Sequence, residues 1–402
     1  MSEVRELTEN RKKKAGSGEG IILVIYFILK PLYLFSSGLP QISDIFLFSA
    51  ALYLFIKDRF KAYIPNSYLK WVFVFFVSLI YQIVVQSVWW LVTDDNKMIL
   101  TVLYYLFNFS AVLVCIRIGH VNGIEDLKLA LCRGCFYSSI VTAIGFLLNI
   151  GSGIRATSFF NNPNQLGYYA VLVMSVIAFF PDQLPKWQNA VTLIIAAWAN
   201  IVSLSKASII ASAALALMYT VWGIKGRTLK KTVLQLLLLI AFFSAVYWFL
   251  YSDSTFITER RPLYLLRRRI MNLSVENDSQ LGSGRGYDRV FEMGIHFLWG
   301  MGEGAFGRFR SLPGLEVHST YLNLLISYGL FGFMAYMWLI GNAFFSKGRL
   351  NMRNIACLSG VLLYGLTHNG IRNTLLWILI AAVIQAGGGS SDKLIDPGIK
   401  GF

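Results

Sequence analysis

The sequence predicts an all-α, polytopic integral membrane protein of about twelve transmembrane helices, with one large outer loop before the tenth. Three observations predict it. Of 402 residues, 56% are hydrophobic and only 14% charged, whereas a soluble domain carries roughly 25% charged residues. Apolar runs recur from near residue 21 to residue 386, which leaves no room for a large soluble domain. No stretch alternates as barrel strands do, so helices must satisfy the backbone in lipid.

Residues 1–20, MSEVRELTENRKKKAGSGEG, form a polar basic tail without a cleavage site, and the run that follows is too long and aromatic for a signal-peptide core. Spans one to nine fill 21–251, near 21–38, 43–56, 69–92, 98–116, 129–149, 167–181, 188–204, 207–223 and 232–251. A long loop occupies 252–317. Spans ten to twelve fill 318–387, near 319–345, 354–367 and 372–387, and 388–402 is a second tail. Each span approaches the length that a ~30 Å hydrocarbon core demands, the second and sixth being short.

The net charge of +15 follows from topology rather than from nucleic-acid binding. Arg11 to Lys14, then Lys57, Arg59 and Lys61, then Lys225, Arg227, Lys230 and Lys231, and finally Lys347, Arg349 and Arg353 fall on one side if both termini are cytoplasmic. The opposite short loops hold little beyond Lys97, Arg155, Lys206 and Arg372, so these few outer cations need another reason. The long loop adds Arg260, Arg261, Arg267, Arg268, Arg269, Arg285, Arg289, Arg308 and Arg310 and no lysine. An all-arginine set suits planar, bidentate recognition of phosphate or carboxylate, although about half of it is expected to pair with the loop's own acids. Within the loop, Asp288 to Leu298 reads as one amphipathic helix resting on the membrane surface, between glycine-rich turns at 282–286 and 300–304.

Other features are bland. Cys132 and Cys135 resemble half of a metal knuckle without a second half, so all four cysteines read as buried thiols. Asp94-Asp95 reads as a solvated turn rather than a metal-binding pair. Lys30-Pro31 is the only clear intramembrane ionisable break, and no matching half accompanies it, which speaks against a transporter built from repeats. Among four histidines, His120 and His296 read as structural, and His368 lies in a turn close to Arg372. His318 stands at the outer end of span ten, where an imidazole is a fair general base.

The stretch HSTYLNLLISYGLFG, from His318 to Gly332, resembles the His-[Asn/Ser/Gln]-x9-Gly-x-x-[Gly/Thr/Tyr] signature of the superfamily of O-antigen ligases and Wzy-type O-antigen polymerases. Every fixed position matches: His318, Ser319, Gly329 and Gly332. Arg155 followed by Asn162-Pro163-Asn164 is similar to the family's outer-loop segment, and Gly284-Arg285 with the 300–304 cluster is similar to its long-loop portion. Ser205-Lys206-Ala207 departs from the family's Ser-Arg-Gly/Ala; Lys206 keeps the charge and loses the bidentate fork.

The resemblance implies transfer of a glycan from an undecaprenyl-diphosphate-linked oligosaccharide to an acceptor sugar, at the periplasmic face of the bacterial inner membrane, without metal or other cofactor. It implies His318 as the base, and Arg155, Lys206 and Arg285 as diphosphate ligands with Arg289 and Arg372 in reserve. Ser319, Gly329, Gly332 and Asn164 would support the motif, the glycines by close helix approach or by leaving a groove for polyprenyl chain. The acceptor would be lipid A-core in a ligase, or a second carrier-linked repeat in a polymerase; the full signature leans slightly to the ligase.

Overall fold

The computed structural model describes residues 18–35, 40–59, 64–94, 97–224, 247–252, 254–271, 285–304, 317–346 and 348–388, with scattered positions from 233 to 244. Most of the expected tails and of span nine, the 282–284 part of the first glycine-rich turn, Arg308 and Arg310 lie outside the described residues. The chain is mostly helical. Eight helices come first: α1 Gly20–Leu29, α2 Ile42–Lys57, α3 Asn66–Thr93, α4 Lys97–Val121, α5 Ile124–Leu147, α6 Pro163–Phe179, α7 Lys186–Ser203 and α8 Lys206–Ile224. The long-loop region adds α9 Thr255–Thr258, α10 Arg261–Met271 and α11 His296–Trp299. The final three are α12 Thr320–Gly341, α13 Met352–Thr367 and α14 Thr374–Gly388, with a two-stranded ribbon pairing Phe345–Ser346 and Arg349–Leu350 between α12 and α13.

Among the described residues, four segments are long and apolar enough to cross a membrane: Asn66–Thr93, Leu100–Val121, Ile124–Leu147 and Thr320–Phe344. Gly20–Leu29, Pro163–Phe179, Lys206–Thr220 and Thr374–Gly387 are shorter apolar helices. The local sequence explains several starts. Asn162 caps α6 by accepting from the Asn164 N–H, with Pro163 at the first helical position. Ser319 caps α12 by accepting from the Leu322 N–H, and Asn351 caps α13 through the Arg353 and Asn354 amides.

Helices α6 and α14 form the interior. Trp377 to Val383 of α14 and Leu166 to Val173 of α6 are buried almost without interruption, and α14 packs on α4, α5 and α6. A helix apolar all round belongs inside a bundle. α3 shows the complementary outer surface, with Phe73, Phe76, Ile80, Ile83, Val84 and Val88 exposed. An apolar face of that extent suits lipid better than water.

Two expectations are corrected, and one expected turn takes a place the sequence does not specify. Span one does not run to residue 38: α1 ends at Leu29, and Lys30-Pro31 opens a turn. The 288–298 segment is not one helix, because Gly294 adopts φ +51° between a 3-10 turn, Asp288–Glu292, and the single-turn α11. Its apolar residues divide accordingly, Met293 being buried while Phe291 and Ile295 are exposed. The 300–304 turn does not stay at the surface. Met301 and Gly302 donate backbone N–H bonds to the Ile326 and Ser327 carbonyls of α12 at 2.9 and 2.8 Å, so the loop re-enters the bundle. It docks where α12 breaks at Gly329 (φ 64°, ψ −171°). There a Cβ on Gly329 would lie 2.3 Å from the Leu298 carbonyl oxygen. The signature glycine is therefore needed for this kink and contact.

The two ends of the bundle differ. At one end Glu19 accepts from Lys57 at 2.9 Å and from Arg117, which also forks onto Asp58. At the other end, where α1 stops and α2 starts, the buried Lys30 donates to Asp44 at 3.0 Å.

Candidate active site

Four helices begin around one polar cleft: α2, α6, α12 and α14. Their first residues and the residues just before them line it, including Gln41 and Asp44, Asn162 and Asn164, His318, and Arg372 and Asn373. Lys30, Tyr104, Tyr364 and His368 are also in the wall, and the cleft measures about 330 Å³. Asn162 and Ser319 already cap α6 and α12, but each N-terminus still carries the positive end of a macrodipole, so the backbone itself favours an anion here.

His318 is exposed at the rim, immediately before the α12 cap. Its backbone is clamped from both sides by the long loop. The His318 N–H donates to the Arg285 carbonyl at 3.1 Å, and the Tyr287 hydroxyl donates to the His318 carbonyl at 3.0 Å and to Leu366 at 3.3 Å. The Ser319 hydroxyl reaches the Gly365 carbonyl at 3.4 Å, tying α12 to α13. Thr320 continues this tie by donating to the His368 carbonyl at 3.0 Å and accepting from the Gly370 N–H at 2.9 Å.

Cations converge on the same place. Arg372 lines the cleft, with its guanidinium 5.6 Å from the Tyr104 ring centroid and its Nε donating to Glu303 at 3.0 Å. Arg155 is held at the edge by Asn164 Oδ1 at 2.6 Å and by the Ser203 carbonyl at 3.0 Å. Arg285 extends toward the Thr367 carbonyl at 3.5 Å. His368 lies between them, its ring 6.2 Å from that of His318 and 4.9 Å from that of Tyr364. Burial, then the neighbouring His318, Arg285 and Arg155, push the His368 imidazole down to about 4, so it is neutral at physiological pH.

Of the residues expected from sequence, His318, Asn164 and Arg372 line the cleft directly, while Arg155 and Arg285 stand beside it. Lys206 starts α8, three residues after the Ser203 carbonyl that holds Arg155, and is not in the cleft wall. Arg289 is likewise outside the wall. Its side chain is fully buried beneath Gly286, and desolvation holds its guanidinium below the usual range. Gly332 sits against Tyr81, 3.3 Å from where a Cβ would project, so it serves close packing.

Two contributors carry no mark in the sequence and two carry only a partial one. Glu303 is one of several acids in its loop, and nothing in the spacing signals that its turn re-enters. Tyr287 carries no motif. His368 was flagged only by its nearness to Arg372, and Lys30 was noted without Asp44, its partner 14 residues on. Comparisons with family models, with curated proteins and with solved structures return no match for this chain.

Proposed function

We propose that this chain is a membrane glycosyltransferase. In this reading it moves an O-antigen-type glycan from undecaprenyl diphosphate to an acceptor sugar, lipid A-core, at the periplasmic face of the inner membrane. About twelve spans and a periplasmic loop over 252–317 belong to this reading, with both termini cytoplasmic. The observation that carries it is the meeting of four helix N-termini with His318 and Arg372 in one cleft, Arg155 and Arg285 alongside. That arrangement suits a polyanion next to a base.

The chemistry balances. The acceptor hydroxyl gives its proton to the His318 imidazole as its oxygen attacks the anomeric carbon. The bond from that carbon to the diphosphate oxygen breaks, and the electron pair leaves on undecaprenyl diphosphate. Arg372 and Arg155, with the helix N-termini, neutralise the charge that grows there. His368, held neutral, does not compete with His318 for the proton, and one of its ring nitrogens is engaged with the Thr367 hydroxyl at 3.2 Å.

Purified protein in lipid nanodiscs, given carrier-linked oligosaccharide and lipid A-core, tests the proposal. The expected result is glycan on the acceptor and free undecaprenyl diphosphate. No transfer, together with movement of the lipid between leaflets, would refute it. In a deletion strain a ligase leaves bare core, whereas core carrying a single repeat would reassign the acceptor to a second carrier-linked repeat.

A further inference from the structure

The re-entrant turn brings one carboxylate, Glu303, into the bundle with 1% of its side chain exposed. One carboxylate oxygen accepts from Arg372 Nε at 3.0 Å and from Asn323 Nδ2 at 2.5 Å. The other accepts from the Tyr328 hydroxyl at 3.0 Å and the Tyr105 hydroxyl at 3.1 Å. The Glu303 N–H in turn donates to Gln86 at 3.1 Å. Burying a carboxylate among apolar helices is costly even when it is paired, and an amide would satisfy the same neighbours more cheaply. The charge therefore needs a reason. Among the described residues its one ion-pair partner is Arg372, a cation of the cleft.

We propose that Glu303 is the positioning residue of Arg372, holding its guanidinium toward the cleft and tempering its charge before substrate arrives. This rests on the diphosphate reading of the cleft. Bound diphosphate then meets a partly neutralised arginine in the ground state. The interaction strengthens as charge accumulates on the leaving group, which is the difference that accelerates a reaction. The loop that clamps His318 is thus also the loop that sets Arg372. Base and charge stabiliser are fixed by one segment.

The test uses the full chain in detergent micelles with inorganic pyrophosphate as the binding probe, and carrier-linked oligosaccharide for turnover. Glu303→Gln keeps the shape. Its amide oxygen can face Arg372 and Asn323 while its NH2 donates to the two tyrosine hydroxyls, so the variant is expected to fold. The cleft gains one net positive charge, so pyrophosphate should bind several-fold more tightly at low salt, while kcat falls about tenfold or more. Glu303→Asp retains the charge but retracts it by one methylene, so both affinity and kcat should fall. Independently of substrate, Arg372 should react faster with phenylglyoxal in Glu303→Gln, read by peptide mass spectrometry.

Wild-type values for Kd, kcat and Arg372 reactivity in Glu303→Gln would overturn the proposal. So would parallel losses of Kd and kcat that follow a lowered Tm, because these describe a merely structural residue. If wild-type protein binds no pyrophosphate while Arg372 reactivity still rises in Glu303→Gln, the diphosphate reading fails and the hold of Glu303 on Arg372 stands.

Discussion

Gly329→Ala is the sharpest perturbation the fold offers. Position 329 has φ 64° and ψ −171°, a region that only glycine enters without strain. Forcing alanine there costs about 1–3 kcal/mol in backbone energy. The added Cβ would also lie 2.3 Å from the Leu298 oxygen and 2.6 Å from the Gly300 nitrogen. Both are backbone atoms, so relief requires the 298–300 segment to move by about 1 Å to reach ordinary contact. That movement breaks the bonds from Met301 and Gly302 to α12, each worth about 1 kcal/mol net. The total is roughly 3–5 kcal/mol, and the Glu303 carboxylate leaves its place with the turn. Gly341→Ala is the control: it ends the same helix, and a Cβ there meets nothing within 4 Å. Alanine should be neutral at 341 or stabilise it by up to ~1 kcal/mol. SDS titration of detergent-solubilised protein, followed by tryptophan fluorescence, measures both. Wild-type stability and wild-type turnover in Gly329→Ala would refute the argument that the signature glycine exists for the docked turn.

Three further outcomes are expected. His318→Ala should lower turnover by roughly 10²–10⁴-fold with an unchanged Tm, since the ring is exposed; a loss smaller than about tenfold would remove it as the base. Burial holds the His368 imidazole down at about 4 in the folded chain, against about 6.5 when unfolded. Its contribution is complete above the higher value and is lost as pH falls toward the lower, on the order of 3 kcal/mol. His368→Asn should flatten the Tm profile over that window, and an unchanged profile would show that another group carries it. Lys30→Met alone, or Asp44→Leu alone, should destabilise by about 3–5 kcal/mol by leaving one buried charge, whereas the double variant should recover most of it. Additive losses in thermal melts would contradict the pairing.

Much of the bundle was legible because membrane helices announce themselves by length and by the charge of their flanks. His318, Asn164 and Arg372 are legible for a related reason: polar residues at the ends of apolar runs have few structural excuses. The failures are all tertiary. The amphipathic pattern of Asp288–Leu298 is real, yet it is divided at Gly294, whose left-handed backbone no periodicity reveals. Arg289 carries the same charge as its neighbours in the loop, and only packing shows that it is buried while Arg285 reaches the site. Lys30 caps the end of α1 and Asp44 lies in the first turn of α2, so they become partners only when the two helices fold together. Glu303 is the extreme case, since a glycine-rich turn in a long loop reads as surface wherever it ends up.

The placement of the cations is itself an argument about function. Lys206 is the first residue of α8, His318 precedes α12 by two residues, and Arg372 precedes α14 by two. Positive charge beside a helix N-terminus opposes the macrodipole, costing about 0.3–1 kcal/mol per group at exposed sites. A sequence chosen for stability alone would put Asp or Glu there, as α2 does with Asp44 in its first turn. In this cleft the same fields that oppose the charge of Arg372 attract an anion, and they act on it together. An anion entering between the four N-termini removes several unfavourable interactions at once and leaves Glu303 and Asp44 as the only carboxylates among the site contacts described. The resting site is therefore expected to gain stability on binding pyrophosphate. A Tm that stays flat as pyrophosphate is raised to millimolar levels would mean that the charges are balanced within the protein and await no ligand.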